Sequence, residues 1–184
     1  MSLTIIDHPS VNFGPRPHGA KILGIVMHAD VSPKEQITLQ WLGNPVSKAS
    51  YHYLVGRVGQ IWRLVNEQDR AWHAGKAHML GNDDPNDFTV GVCISNKQDG
   101  EKFTELALDK AAELCEEICR RYFIPVDAAH VTTHSAIATP PGRKKDPYSA
   151  VAGIWDHEAF LARIRAWSHV PVPASDQPDT PEPP

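Results

Sequence analysis

Cysteine is scarce: three residues in 184, an odd number. Two of them, Cys115 and Cys119, stand four apart in a helical pattern, where a small apolar side chain fills a core. A disulfide framework is therefore not expected, and reduced thiols suit a cytosolic compartment. A basic surplus is also missing. Eighteen Lys+Arg against 22 Asp+Glu leave a formal net charge of −4, which lacks the footprint of a non-specific nucleic-acid binder. No stretch approaches the roughly 18 uninterrupted apolar residues of a membrane span. Met1 to Val11 has neither a basic head nor an apolar run, so no secretory signal is expected and synthesis in the cytoplasm is. With 41% hydrophobic residues, the chain reads as one soluble domain, expected to be monomeric, with length enough for a sizeable core and too little for two.

Histidine, by contrast, is plentiful, with ten residues, and the informative ones are those that end apolar strands. Met1 to Ala20 reads as an irregular segment, broken by Pro9, Gly14, Pro15, Pro17 and Gly19. Lys21 to Met27 suits a buried strand that stops at His28. Ser32-Pro33-Lys34-Glu35 has the pattern of a helix start, with Ser32 as cap and Pro33 at the first helical position, and the helix is expected to reach Leu42 and end at Gly43. Tyr51 to Arg57 and Gln60 to Val65 read as strands paired through a tight turn at Val58-Gly59. Asn66 to Phe88 reads as one long loop, and loops of such length are usually functional or mobile.

Thr89 to Ser95 reads as another buried strand. Thr104 to Tyr122 is the clearest helix, with Leu108, Ala111, Ala112, Cys115, Ile118, Cys119 and Tyr122 on one apolar stripe. Val131 to Thr133 reads as a short strand ending at His134, followed by a Pro/Gly/Lys loop to Pro147. Gly153 to Trp167 reads as a last amphipathic helix. Val170 to Pro184 holds six prolines and three acidic residues, a composition that cannot bury enough surface to fold alone. The expected organisation is a segment 1–20, a domain 21–169 and a flexible tail 170–184. Alternating strands and helices imply an α/β class, a central mixed sheet flanked by helices.

Three segments set a metal-type ligand at a strand end or just beyond one: Ile25-Val26-Met27-His28, Val131-Thr132-Thr133-His134 and Gly142-Arg143-Lys144-Lys145-Asp146-Pro147. Two imidazoles and a carboxylate form the ligand set of a catalytic zinc with an open fourth position. A histidine at a strand end also serves as a structural residue, and spacing alone leaves both readings open.

Residues from about 20 to 167 resemble the zinc-dependent N-acetylmuramoyl-L-alanine amidases, the amidase-2 family, which includes phage lysozymes of the amidase type, AmpD-type muropeptide amidases and peptidoglycan recognition proteins. Besides the three segments above and Thr133-His134-Ser135-Ala136-Ile137-Ala138, the matching motifs are Ser50-Tyr51-His52-Tyr53-Leu54-Val55, Arg70-Ala71-Trp72-His73-Ala74-Gly75 and Asn86-Asp87-Phe88-Thr89-Val90-Gly91-Val92, in family order. The resemblance implies a mixed sheet flanked by helices, one zinc per chain, and hydrolysis of the amide joining muramic acid to L-alanine in peptidoglycan or muropeptides.

By that resemblance His28, His134 and Asp146 are the zinc ligands, and Lys144 matches the lysine that stabilises the oxyanion. Tyr51 matches a tyrosine that several phage enzymes place near the attacking water. Trp72 and His73 resemble substrate-cleft residues. Tyr51 also reads as a packing aromatic, Lys144 as a solvated loop lysine, and His73 and Trp72 as loop packing. His52 is expected on the opposite sheet face from Tyr51, in a structural role. Two departures from the family stand out. Cys93 occupies the position where AmpD-type and other branches carry a glutamate base, which favours the phage-type arrangement with Tyr51 and makes Cys93 a bystander. Thr139-Pro140-Pro141 also lengthens the loop between His134 and Asp146. The implied role is a phage or prophage endolysin acting on the cell wall. The alternatives are a cytoplasmic recycling amidase acting on anhydro-muropeptides and a non-catalytic peptidoglycan-binding module. The presence of both Asp146 and Lys144 speaks for catalysis.

Overall fold

Continuous burial along the central strands, which are covered on both faces, decides the architecture. A computed structural model describes residues 3–147 and 155–167. The expected tail 170–184 and residues 153–154 of the last expected helix lie outside them. Six strands form the main sheet: β1 (Ile5–Asp7), β3 (Gly24–Ala29), β4 (Tyr53–Val55), β5 (Ile61–Arg63), β9 (Thr89–Ile94) and β10 (Val131–Thr133). Their order is β1-β5-β4-β9-β3-β10. All neighbouring pairs are parallel except β4 with β5, so the sheet is mixed, as expected.

On one face Ile25 and Met27 of β3 join Val90, Val92 and Ile94 of β9 in the main core. Covering that core are α2 (Glu105–Tyr122) and α4 (His157–Trp167), which contribute Ala111, Cys115, Ile118, Leu161 and Ile164. Thr104 caps α2, its hydroxyl oxygen accepting from the Ala107 N–H, and Cys115 and Cys119 sit buried on the stripe. The alternate residues Val26 and His28 of β3 and Gly91 and Cys93 of β9 turn to the other face. There α1 (Glu35–Gly43) lays Leu39 and Leu42 over Leu54 and Cys93. Gly24 permits β3 and β10 to approach, since a Cβ there would lie 2.6 Å from the His130 carbonyl oxygen. Among the described residues no helix is long and apolar enough to cross a membrane.

Three expectations are corrected. Residues 1–20 are not irregular throughout: β1 pairs with β5, and β2 (Phe13–Pro15) pairs with β6 (Asp69–Ala71). Their partners lie more than fifty residues away, so no local pattern announces them. The loop 66–88 is likewise broken up by β6, by the hairpin of β7 (His78–Met79) with β8 (Asn82–Asp83), and by a 3₁₀ turn at Pro85–Asp87. Finally, Ser32 does not cap α1. Its hydroxyl donates to the Lys34 carbonyl and its own carbonyl accepts from Arg57, while Glu35 accepts from the Arg57 backbone N–H. The helix starts two residues later, at Glu35, because the Ser32 hydroxyl is engaged by Lys34 and the Glu35 carboxylate by Arg57 of the β4–β5 turn.

Arg16 shows why the N-terminal segment matters to the rest. Its guanidinium, whose pKa burial lowers to about 10, donates to the carbonyls of Glu67, Asn86 and Thr89. It thereby ties the loop 66–88 to the start of β9. Arg16→Ala leaves these partly buried acceptors unpaired and is expected to cost about 2 kcal/mol, read by urea denaturation; wild-type stability would contradict this tie.

Candidate metal centre and active-site cleft

Parallel register brings the two strand-end histidines together. Thr133 of β10 stands opposite Met27 of β3, so the next step along each strand sets His134 beside His28, with ring centroids 4.6 Å apart. His134 opens the short helix α3 (His134–Ile137), capped by Thr133. Asp146 arrives from the long loop, and its carbonyl is held by the Ser135 N–H at 2.9 Å. The lengthened loop thus folds back onto α3 and delivers the carboxylate despite its extra residues. Asp146 Oδ2 lies 3.1 Å from Nδ1 of His28 and 3.1 Å from Nδ1 of His134. One ligand atom from each residue lies within 4.8 Å of the others, so the trio could hold a metal ion.

Burial pushes the His28 imidazole down to about 4, against the opposing pull of Asp146. The ring is therefore neutral at pH 7, as a ligand must be. Burial works to raise the Asp146 pKa, but an N–H or positive charge at the two Nδ1 positions outweighs that and holds the carboxyl well below the usual carboxylate range. The rear of His134 tests whether these residues fit a cation. His134 Nε2 lies 2.9 Å from the Ala74 carbonyl oxygen, which can only accept, so Nε2 carries the proton. In a neutral ring, Nδ1 then turns a lone pair toward the Asp146 carboxylate. Such a contact is repulsive unless a positive charge lies between the two atoms. Two imidazole nitrogens and one carboxylate oxygen, bordering an open cleft, fit a catalytic metal centre rather than a closed structural one.

That cleft has a volume of about 510 Å³. Tyr51, Trp72, His73, His134, Lys144 and Asp146 all line it. Sequence-adjacent Lys145 does not line it. The Tyr51 ring centroid is 4.9 Å from that of His28. Burial raises the Tyr51 pKa well above its ordinary value, so the hydroxyl stays protonated. The ring packs against the cluster that holds the fully buried Cys93, whose thiol pKa burial also raises well above normal. Cys93 is therefore no base at neutral pH, yet it touches the tyrosine rather than standing apart from the site.

His73 is only 6% exposed, and its Nδ1 lies 3.1 Å from His28 Nε2. His52 departs from its expected geometry. The strand begins at Tyr53, so period-2 alternation does not reach Tyr51, and both residues face the site side. His52 is nevertheless fully buried, with its Nδ1 accepting from the Gly91 N–H and its Nε2 beside the Asp69 carbonyl.

Sequence reading missed the second wall of the cleft. Ile37 and Trp41 of α1 line it while remaining 48% and 53% exposed. Two large apolar residues at i, i+4 on the expected solvent face were the available signal. Asp30, two residues beyond His28, was also missed. It lines the cleft and accepts from Thr38, Ser95 and the Asn96 N–H.

The Amidase_2 family model, described as N-acetylmuramoyl-L-alanine amidase, matches residues 18–149. The 1,6-anhydro-N-acetylmuramyl-L-alanine amidase AmpD of Haemophilus influenzae is 30% identical over 118 residues, covering 64% of this chain and 60% of that protein. The chain spans about 60% of the length of the first curated relatives it matches. The crystal structure of a selenomethionine AmpD derivative superposes with a TM-score of 0.67 at 25% identity, covering 88% of this chain and 92% of that one. The amidase AmiD from E. coli, in complex with the substrate anhydro-N-acetylmuramic acid-L-Ala-D-gamma-Glu-L-Lys, gives 0.66 at 26% identity, covering 80% of this chain and 60% of that one. With the family model matched over residues 18–149, well over half of its length, the chain belongs to the Amidase_2 family of N-acetylmuramoyl-L-alanine amidases.

Proposed function

We propose that this protein is a zinc-dependent hydrolase of the amide between N-acetylmuramic acid and L-alanine, with one zinc per chain held by His28, His134 and Asp146. The observation that carries the reading is the convergence of both Nδ1 atoms on one Asp146 oxygen at the border of the cleft. Zinc held there supplies a polarised carbonyl and a water acidified toward neutrality. The protein's own residues do the rest. Lys144, on the cleft wall, places a positive charge where the substrate carbonyl oxygen becomes negative in the transition state. Tyr51, protonated and packed against Cys93, presents a hydroxyl dipole beside His28 to orient the attacking water. Trp72 offers an indole face to a sugar, and His73 lines the cleft behind it.

The role follows from the substrate form. Tyr51 paired with Cys93, in place of a carboxylate base, favours the phage-type arrangement and thus a wall-cleaving endolysin. The AmpD relative, named for 1,6-anhydro-N-acetylmuramyl-L-alanine, favours soluble anhydro-muropeptides as the second reading. Incubating the protein with intact sacculi and with soluble anhydro-muropeptides, then identifying products by mass, separates the two. Release of peptides beginning with L-alanine from either substrate supports the amidase; release from neither contradicts it.

Asp146→Ala is expected to lose zinc and activity together, as measured by metal analysis of the purified variant; full metal content would remove Asp146 from the ligand set. Lys144→Ala is expected to keep its zinc and lose about a hundredfold in rate, while Lys145→Ala stays near wild type; the reverse ranking would show that the other lysine acts. Tyr51→Phe is expected to keep fold and metal but to slow turnover. Cys93→Ser, which keeps a small side chain beside Tyr51, is expected to remain active. An inactive Cys93→Ser beside a wild-type Tyr51→Phe would give the thiol a direct part.

A further inference from the structure

The two histidines have their rear nitrogens held by adjacent residues. His134 Nε2 meets the Ala74 carbonyl at 2.9 Å, and His28 Nε2 meets His73 Nδ1 at 3.1 Å. We propose that the His73–Ala74 step is a bracket that sets the proton positions of both imidazoles, with His73 a positioning residue for His28. The inference rests on the metal-centre reading above and deepens it.

A neutral histidine that offers Nδ1 to a metal keeps its proton on Nε2 and needs an acceptor there. For His134 the acceptor is a carbonyl, which admits one direction only. For His28 it is a second imidazole, which admits two, so the direction is set further back. His73 Nε2 lies 3.4 Å from Thr89 Oγ1, while that hydroxyl donates to the Pro85 carbonyl at 2.6 Å. With its proton committed to Pro85, Thr89 is left to accept from His73 Nε2. His73 Nδ1 is then unprotonated and accepts from His28 Nε2. All three links run the same way, away from the metal, and leave His28 Nδ1 free to ligate. The opposite direction would put a proton on Nδ1, facing Asp146.

The bracket is itself fixed. Asn86 Oδ1 accepts from the N–H groups of both His73, at 3.0 Å, and Ala74, at 2.8 Å. Gly91 of β9 leaves the space that the imidazole fills, since a Cβ there would lie 2.6 Å from the His73 ring. Substitution at Gly91 therefore displaces His73 with no direct contact to the ligand trio. His73 lies in the cleft wall as well, but its nitrogens are engaged behind the metal.

The test is zinc affinity by chelator competition, together with ¹⁵N NMR of the histidine rings in the zinc-loaded protein. His73→Phe preserves a ring and removes the acceptor; it is expected to weaken zinc binding about tenfold to a hundredfold. His73→Gln, whose side-chain oxygen accepts, is expected to recover part of that loss. In the wild type the His73 proton is expected on Nε2. Wild-type affinity in His73→Phe, or a His73 proton on Nδ1, would overturn the proposal. Should His73→Phe fail to fold, Thr89→Val, which removes only a hydroxyl, replaces it: weaker zinc binding supports the relay and unchanged affinity overturns it. Asp146→Ala serves as the control for the underlying reading. Unchanged affinity in that variant, or no zinc bound by the wild type, overturns the metal centre and the bracket together. Weak binding by Asp146→Ala beside an unaffected His73→Phe overturns the bracket alone.

Discussion

One carboxylate oxygen facing two imidazole nitrogens organises this molecule. Asp146 Oδ2 meets Nδ1 of His28 and Nδ1 of His134 at the same distance, 3.1 Å, and the surrounding structure serves to keep that meeting in place. His28 is fully buried, so its neutral state follows from lost solvation rather than from a special partner. Asp146 stays ionised because an N–H or positive charge at the two Nδ1 positions offsets its burial. The result is a negatively charged, nitrogen-rich corner at the edge of a cleft, whose donor set could hold a divalent cation.

That corner depends on sheet topology more than on the loop carrying Asp146. Adjacent parallel strands in register bring residues far apart in sequence to the same height, and β3 and β10 do this for two histidines separated by more than a hundred residues. The opposite face of the sheet, with Ile25, Met27, Val90 and Val92 packed under α2 and α4, provides the rigidity. Apolar burial is thus concentrated away from the chemistry, and the polar groups of the site face are satisfied one by one. Arg16 serves three carbonyls, Asn86 two N–H groups, and Ala74 both His134 and Arg143.

Much of this was legible from residue patterns. The central strands β3, β9 and β10 are apolar runs ending at or near chemistry, and α2 is an apolar stripe with a Thr cap, so both signals are local. The cluster of His28, His134 and Asp146 was legible as strand-end histidines with a downstream Asp-Pro, and the family motifs narrowed it. What escaped reading depends on distant partners. β1 and β2 are strands only because β5 and β6 pair with them. Ser32 looks like a helix cap until Arg57 and Lys34 occupy its groups. His73 reads as a cleft residue because its motif lies in a loop; only the folded chain places its Nδ1 behind His28. The cleft wall formed by Ile37 and Trp41 was overlooked because exposed apolar residues on a helix also occur without function.

The central claim is that His28, His134 and Asp146 together hold the metal. Zinc-edge X-ray absorption on protein loaded with one equivalent of zinc addresses it most directly. The account predicts a shell of two imidazole nitrogens and carboxylate or water oxygens at about 2.0–2.2 Å, with no sulfur, and loss of the two-imidazole signature when His28 or His134 is replaced by alanine. A sulfur scatterer at about 2.3 Å, or a shell unchanged by either replacement, would place the metal elsewhere and contradict the account.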